Sequence, residues 1–198
     1  NSLENAATYV QNGITGACIE DAVFYVSVDG DDNNSGTESS PFGTIAHALG
    51  FVKEVGPATT IYVAAGVYST DITGEVFPII IPNNVHLIGD GAETTFLDAA
   101  ADSINESAVV IIKEVETVTL KNFTLTNGYT ESHGCTGGGG LLIAANDMYN
   151  NFPGDGGTGV DVISTPLIEN VIIENNHSHN GGGLSFFRTH GPVLNNVI

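Results

Sequence analysis

A polar run near the N-terminus places oxygen donors at alternating positions. Asp29, Asp31, Asn33 and Ser35 lie within the stretch DGDDNNSGTESS, and flexible calcium loops begin in this way because Ca²⁺ takes about six to eight oxygen ligands. Asn34 stands where such loops usually carry a glycine, so a solvated Asx-turn loop is the alternative interpretation. Ca²⁺ is therefore the one cofactor that the sequence suggests.

A second group of residues is placed to contact sugar. Residues 129–136 and about 146–165 are insertions on either side of a predicted strand at 141–145. Loops that leave a repeat fold beside one strand can wall a groove for an extended polymer. Asp147 and Tyr149 lie in the longer insertion, and we expect them to bind a glycan there.

The next strand along that predicted groove, at 184–190, contains the single Arg of the chain. Strand alternation points Phe187 outward, where it joins the expected glycan contacts. Arg188 and His190 follow near the bend and are the candidate catalytic residues. A structural bond from them to a neighbouring turn of the chain is the alternative.

Two pairs of residues are of types that bind a metal ion or form a disulfide. His177 and His179 alternate along one strand and could share a metal ion, but no third ligand is visible in the sequence, so a polar turn is the alternative. Cys18 and Cys135 could form a disulfide that ties the N-terminal arm to a later loop. Two unlinked thiols are the alternative.

Four Asn-x-Ser/Thr sequons, at Asn33, Asn105, Asn122 and Asn176, permit glycosylation if the source is eukaryotic. In so Asn-rich a chain, chance also accounts for them. The chain opens at Asn1, as a processed secreted protein or an excised fragment would. We therefore expect an extracellular or cell-surface location.

Charge and hydropathy exclude several partners. The chain has 198 residues, with 4 Lys and Arg against 23 Asp and Glu, for a net charge of −19. Nucleic acid is a poor partner, because phosphate binding requires clustered cations. No apolar run approaches the roughly 20 residues that cross a bilayer, so no membrane span is expected.

A repeat specifies the elements that must position these side chains. The stretches VTLKNFTLTNG, PLIENVIIENN and PVLNNVI align so that Asn122, Asn170 and Asn196 share one position, with Gly89 in an earlier, looser copy. Asn170 and Asn196 are 26 positions apart, whereas Asn122 and Asn170 are 48 positions apart. The two insertions explain the excess of 22 residues.

Such a period, built from short strands and Asn or Gly bends, is typical of a β-solenoid. Asn suits the bends because it tolerates the left-handed backbone region. We predict an all-β, right-handed parallel β-helix. An antiparallel sandwich with Asn-rich hairpins is the alternative, but it does not explain the aligned Asn and Gly positions.

A helical pattern precedes the repeats. It begins at Pro41, places Ile45, Leu49 and Val52 on one face and stops at Gly56. Because a solenoid has apolar ends that must be closed, we predict an N-terminal capping α-helix. The predicted single domain divides into an arm and cap at 1–58 and β-helix turns at 59–198, which we expect to continue.

The order YVSVDGDDNNSGTESSPFGTIAHAL, IYVAAGVYS, VHLIGDG resembles the N-terminal module of pectate-lyase-like right-handed parallel β-helix proteins. The resemblance covers about residues 25–98. The same module looks like the opening of polysaccharide lyase family 9 and of repetitive surface or adhesin-type proteins. For the lyases it would imply an aspartate-bound Ca²⁺ and a Lys base, but Lys53, Lys113 and Lys121 match no catalytic setting.

Two functions follow as predictions. The first is a secreted or cell-surface module with a structural or adhesive role, in contact with extracellular polysaccharide or a neighbouring surface protein, and able to form filaments by end-to-end self-association. The alternative is a carbohydrate-active enzyme, a polysaccharide lyase or a glycoside hydrolase, that acts on an extracellular polysaccharide.

Overall fold

Short strands make up most of the regular structure. The computed structural model describes residues 8–11, 14–17, 22–53, 56–113, 115, 117–131, 137–144, 162–163, 165–187 and 189–198. The elements are β1 (Thr8–Gln11), β2 (Ile14–Ala17), β3 (Val23–Val26), α1 (Ile45–Leu49), β4 (Thr59–Val63), β5 (Gly66–Tyr68), β6 (Ile79–Ile81), β7 (Val85–Gly89), β8 (Thr95–Asp98), β9 (Val110–Lys113), β10 (Val118–Thr126), β11 (Tyr129–Thr130), β12 (Leu141–Ala144), β13 (Val162–Ile163), β14 (Leu167–Glu174), β15 (His177–Ser178), β16 (Leu184–Phe187), β17 (Thr189–His190) and β18 (Val193–Val197).

Equivalent strands of successive turns pair in parallel. The largest sheet runs in the order β18-β14-β10-β7-β4-β3, and β5 and β8 extend it beside β10. A second sheet runs in the order β16-β12-β9-β6, and its pairs are also parallel. The prediction of a parallel β-helix is confirmed, and an antiparallel sandwich is excluded because only the β1–β2 hairpin pairs its strands in an antiparallel ladder within the described part of the chain.

The interior is a stack of aliphatic columns. Leu120 lies opposite Leu87 on one neighbouring turn and opposite Ile168 on the other, and all three side chains are fully buried. Along β10 the inward phase shifts by one residue, so Leu120 and Phe123 both face the core. The shift requires a bend within the strand, because a flat strand keeps one phase.

That bend is occupied by a column of corner residues, Gly89, Asn122, Asn170 and Asn196, hereafter the corner column. The three Asn residues have φ of 64°, 52° and 53°, in the left-handed region that Asn tolerates. Asn122 donates to the Gly89 carbonyl at 3.1 Å, Asn170 donates to Asn122 Oδ1 at 3.3 Å, and Asn196 donates to Asn170 Oδ1 at 2.9 Å. The predicted alignment is confirmed.

The helix is shorter than its sequence pattern predicts. It begins at Ile45, with Thr44 as an extended N-cap, and ends at Leu49, with Gly50 as the C-cap, whereas the prediction placed its limits at Pro41 and Gly56. The early start was wrong because the chain just after Pro41 is extended, and Phe42 N donates to the Tyr25 carbonyl at 2.9 Å. The helix packs against β3 and β6. Its role as a cap stays a prediction.

Two carboxylates hold the start of this helix. The buried Glu75 accepts from Ile45 N at 2.7 Å and Ala46 N at 3.0 Å. Asp32 accepts from Thr44 N at 2.9 Å and from its hydroxyl at 2.8 Å. Burial raises the pKa of Glu75 above its ordinary value, against the opposite effect of its hydrogen bonds. The helix start is therefore anchored from two distant parts of the chain.

Among the described residues, no helix has the length and apolarity that a bilayer crossing requires.

Candidate functional site

The outer face of the large sheet carries aligned aromatic residues. In β3 and β4, Val26 and Val63 point into the core, so the residues before them, Tyr25 and Tyr62, must point outward. The strand register sets these tyrosines opposite each other and sets Ile88 of β7 beside Tyr62. Three successive turns thus present two rings and an aliphatic side chain to the outside.

The two tyrosines stack against each other. Their ring centroids are 5.5 Å apart and the ring planes are inclined by 29°. Tyr62 remains 42% exposed. An aromatic pair that is stacked yet open to solvent has an apolar body and a polar hydroxyl available for a ligand.

A hollow of about 550 Å³ lies over this aromatic pair. We call it the tyrosine hollow, and its lining residues are Tyr25, Val26, Ser27, Glu38, Pro41, Tyr62, Val63, Ala64, Ile88, Gly89 and Asp90. Its volume falls within the range of small-molecule sites, about 300–1,000 Å³. It is therefore large enough to take a sugar residue.

Backbone hydrogen bonds position the two carboxylates of the hollow. Tyr25 N donates to the Gly36 carbonyl at 2.9 Å, which holds the segment that carries Glu38 against β3. Asp90 N donates to the Val63 carbonyl at 3.0 Å and so fixes the other carboxylate just after β7. Both carboxylate side chains belong to exposed residues. The hollow therefore combines aromatic surface with hydrogen-bond acceptors.

The outward column continues beyond the hollow with different chemistry. After Ile88, the register places Lys121, Glu169 and Asn195 in the same column. Lys121 Nζ is 2.6 Å from Glu169 Oε1, and the hydrogen bond from Lys121 lowers the pKa of Glu169 below its ordinary value. The column thus changes from aromatic to ionic along the β-helix.

The predicted calcium residues form a local turn. Asp31 Oδ1 accepts from the backbone N and from Nδ2 of Asn33, both at 2.8 Å, and Asp29 N lies 3.3 Å from Ser27 Oγ. Ser35 Oγ is 3.3 Å from a neighbouring hydroxyl. Across the described part of the chain, no three His, Cys, Asp or Glu side chains are grouped to hold a metal. The Ca²⁺ site stays a prediction.

The predicted glycan groove falls mostly on parts of the chain that the structure does not describe. Asp147, Tyr149 and Arg188 lie outside the described residues, and His190 is described only as part of β17. Phe187 does face away from the main core, and it packs on an outer apolar cluster that includes Leu142. Roles for these residues in sugar contact or catalysis stay predictions.

The two histidines meet a partner that the sequence did not reveal. His177 Nε2 is 2.8 Å from Glu131 Oε2, and His179 Nδ1 is 3.7 Å from Glu131 Oε1. Tyr129 stacks on His177 with a centroid separation of 4.4 Å. Glu131 was overlooked because it lies 46 residues from His177, and only the β11–β15 pairing brings them together.

The four sequons differ in the state of the amide nitrogen to which a glycan would attach. Asn122 Nδ2 donates within the corner column, and Asn176 Nδ2 donates to the Leu125 carbonyl at 2.9 Å. Asn33 Nδ2 also donates, to Asp31 Oδ1 at 2.8 Å, but Asn33 and Asn105 are exposed. Glycosylation stays a prediction, and the exposed pair offers the accessible positions.

Cys18 and Cys135 both lie outside the described residues, so their disulfide stays a prediction.

The tyrosine hollow itself was not predicted. Its signal in the sequence is the Tyr-Val pair shared by β3 and β4, at Tyr25 and Tyr62. Aligning these pairs as equivalent positions of two turns, with Val inward, points both rings outward. Glu38 and Asp90 carried no comparable signal, because each lies in a loop that only the folded backbone brings to the sheet.

A family model described as "Protein of unknown function (DUF1565)" matches residues 28–198. No curated protein matches the chain.

Solved structures that resemble the chain include several pectin methylesterases. Pectin methylesterase PemA from Erwinia chrysanthemi is 15% identical with a TM-score of 0.45, and the match covers 83% of this chain and 45% of that one. A pectin methylesterase in complex with hexasaccharide VII is 13% identical with a TM-score of 0.45, covering 82% and 45%. The enzyme from carrot is 14% identical with a TM-score of 0.37, covering 84% and 56%. This chain spans about half the length of these proteins.

Proposed function

The chain belongs to the DUF1565 family, and on that premise we propose that it is a secreted or cell-surface β-helix module with a structural or adhesive role that binds polysaccharide at the tyrosine hollow. The observation that carries this proposal is the stacked, solvent-open pair of Tyr25 and Tyr62 beneath a hollow with two carboxylates. Stacked parallel turns supply a stiff support for such a site.

The physical argument concerns what an exposed aromatic pair can bind. A pyranose ring has an apolar C–H face and a rim of hydroxyls, so it needs an apolar surface beside hydrogen-bond acceptors. Tyr62 and Ile88 offer the first, and Glu38 and Asp90 offer the second. Because the tyrosines sit on neighbouring strands of one sheet, their spacing is held by backbone hydrogen bonds, which limits the entropy lost on binding.

Retention on insoluble polysaccharides tests the proposal. The purified chain is incubated with cellulose, chitin, chitosan and pectin, and the bound fraction is measured for wild type, Tyr62→Ala and Tyr129→Ala. Tyr129 is a matched control because it also stacks on a neighbouring ring, at a different place. We expect at least one polymer to retain the protein, and Tyr62→Ala to weaken retention at least about ten-fold, or about 1.4 kcal/mol. Failure of every polymer to retain it, or equal loss in both variants, contradicts the proposal.

A carbohydrate-active enzyme is the second candidate, and one observation favours it. Glu38 and Asp90 line the same hollow, and a pair of carboxylates is what most glycoside hydrolases use. Release of reducing ends, or of unsaturated products seen by ultraviolet absorbance, from the retained polymer is the measurement. Product release that both Glu38→Gln and Asp90→Asn abolish would favour the enzyme over the structural module.

A further inference from the structure

We propose that the tyrosine hollow selects glycans that carry free amino groups over glycans that carry carboxylates. The inference rests on the proposed function, because it names the chemical class of polymer that the same hollow would take. It follows from the sign of the charges around the aromatic pair.

All formal charge among the lining residues is negative. Glu38 and Asp90 are the ionisable carboxylates of the hollow, and its lining includes no Lys or Arg. The cation that follows Ile88 in the outward column, Lys121, is engaged by Glu169 at 2.6 Å. The surrounding protein adds to this field, since the chain carries a net charge of −19.

These charges have opposite consequences for the two kinds of polymer. A uronate placed over the tyrosines would bring its carboxylate towards Glu38 and Asp90, and like charges repel. An amino sugar would bring an ammonium group that can pair with either carboxylate. The same ammonium is attracted to the faces of Tyr25 and Tyr62 by cation–π interaction. Neutral sugars experience neither the repulsion nor the attraction, so they should bind with intermediate affinity.

Titration with three soluble oligosaccharides tests the preference. Oligomers of glucosamine, N-acetylglucosamine and galacturonic acid, equal in length, are titrated by calorimetry into the intact chain at low salt and at neutral or mildly acidic pH. We expect glucosamine oligomers to bind about two- to five-fold more tightly than the N-acetylated ones, as exposed charge pairs provide. Galacturonic acid oligomers should bind most weakly. Added salt should reduce the difference.

Charge variants separate the effect of the two carboxylates in the hollow from the effect of the protein's overall negative charge. The double variant Glu38→Gln with Asp90→Asn should abolish the preference for glucosamine over N-acetylglucosamine. The matched control, Asp71→Asn with Glu174→Gln, changes the net charge equally at exposed residues outside the hollow lining and should keep it. Equal loss in both double variants, or binding of galacturonic acid oligomers at least as tight as that of glucosamine oligomers, overturns the inference.

The two proposals fail in distinguishable ways. If Tyr62→Ala leaves the affinity for all three oligomers unchanged, or if no oligomer binds and no polymer retains the protein, the glycan site itself is wrong and the inference falls with it. If no oligomer binds but a polymer retains the protein through Tyr62, the inference alone is overturned. If Tyr62→Ala weakens binding but the charge variants do not alter the preference, the site stands and the inference alone is overturned.

Discussion

Two columns run side by side along the large sheet, one residue apart, and they use their side chains differently. The corner column bonds to itself, since Asn122, Asn170 and Asn196 each pass an amide hydrogen bond to the preceding turn. The outward column begins with two stacked rings, Tyr25 and Tyr62, and Tyr62 remains 42% exposed. The comparison separates a column that holds the turns together from one that offers a binding surface.

The first prediction tests the corner column and has the largest expected effect. Asn170→Ala removes both side-chain hydrogen bonds and places Ala at φ 52°. We expect a loss of about 2–4 kcal/mol in the free energy of unfolding, measured from urea curves with an unchanged slope. Asn170→Gly keeps the backbone conformation accessible, so it should lose less. Equal stability of Asn170→Ala and wild type would contradict the ladder.

The second prediction concerns Gly89, which belongs to the corner column and also lines the hollow. A Cβ at this position would lie 2.3 Å from the carbonyl oxygen of Asn122, so the neighbouring turn must move. Gly89→Ala should therefore cost about 1–3 kcal/mol of stability, and it should also weaken glycan retention. A variant that folds and binds like wild type would show that the turns are not packed as described.

Most of the fold, but not the site, could be predicted from the sequence, and the corner column shows why. Asn122, Asn170 and Asn196 recur because a left-handed bend at each of these three positions restricts the residue type, so the requirement repeats along the chain. An outward position imposes no such requirement: in one column it is Tyr62, then Ile88. The residue types at outward positions therefore do not repeat from turn to turn, and the sequence shows no pattern that would identify them.

Contacts between distant segments were also unpredictable. The helix start depends on Glu75, which lies 30 residues from Ile45, and helical periodicity contains no information about such an anchor. The predicted start at Pro41 was wrong because Phe42 instead pairs with the distant Tyr25 of β3. The predicted groove around Tyr149 lies outside the described residues, so it remains a prediction.

The third prediction concerns a substitution that should affect stability little and glycan binding strongly, the opposite of the first. Tyr62→Ala removes a half-exposed ring from a stacked pair, so it should lower the free energy of unfolding by only about 1 kcal/mol. Glycan retention should nevertheless fall more than in any stable corner variant. Thermal unfolding and retention, measured on the same preparations, check this. A large loss of stability with retention unchanged would make the tyrosines structural.

The fourth prediction has the smallest effect and concerns the ionic part of the outward column. The hydrogen bond from Lys121 lowers the pKa of Glu169 in the folded state. As the pH falls below the ordinary Glu pKa of 4.5, the unfolded state therefore protonates this carboxylate before the folded state does. The contribution to stability is present above that value and is lost on acidification. Lys121→Met should make the acid-side decline in stability shallower, whereas Lys53→Met should not. Identical pH profiles of stability for the two variants would show that the Lys121–Glu169 ion pair does not stabilise the folded state in solution.

Nuclear magnetic resonance on the intact, labelled chain tests the glycan site most directly. During titration with glucosamine oligomers, the account predicts that the ring signals of Tyr25 and Tyr62 and the methyl signals of Ile88 shift together. The side-chain amides of Asn170 and Asn196 should stay in place. Shifts centred on Tyr129 and His177, with the tyrosine hollow unaffected, would contradict the account.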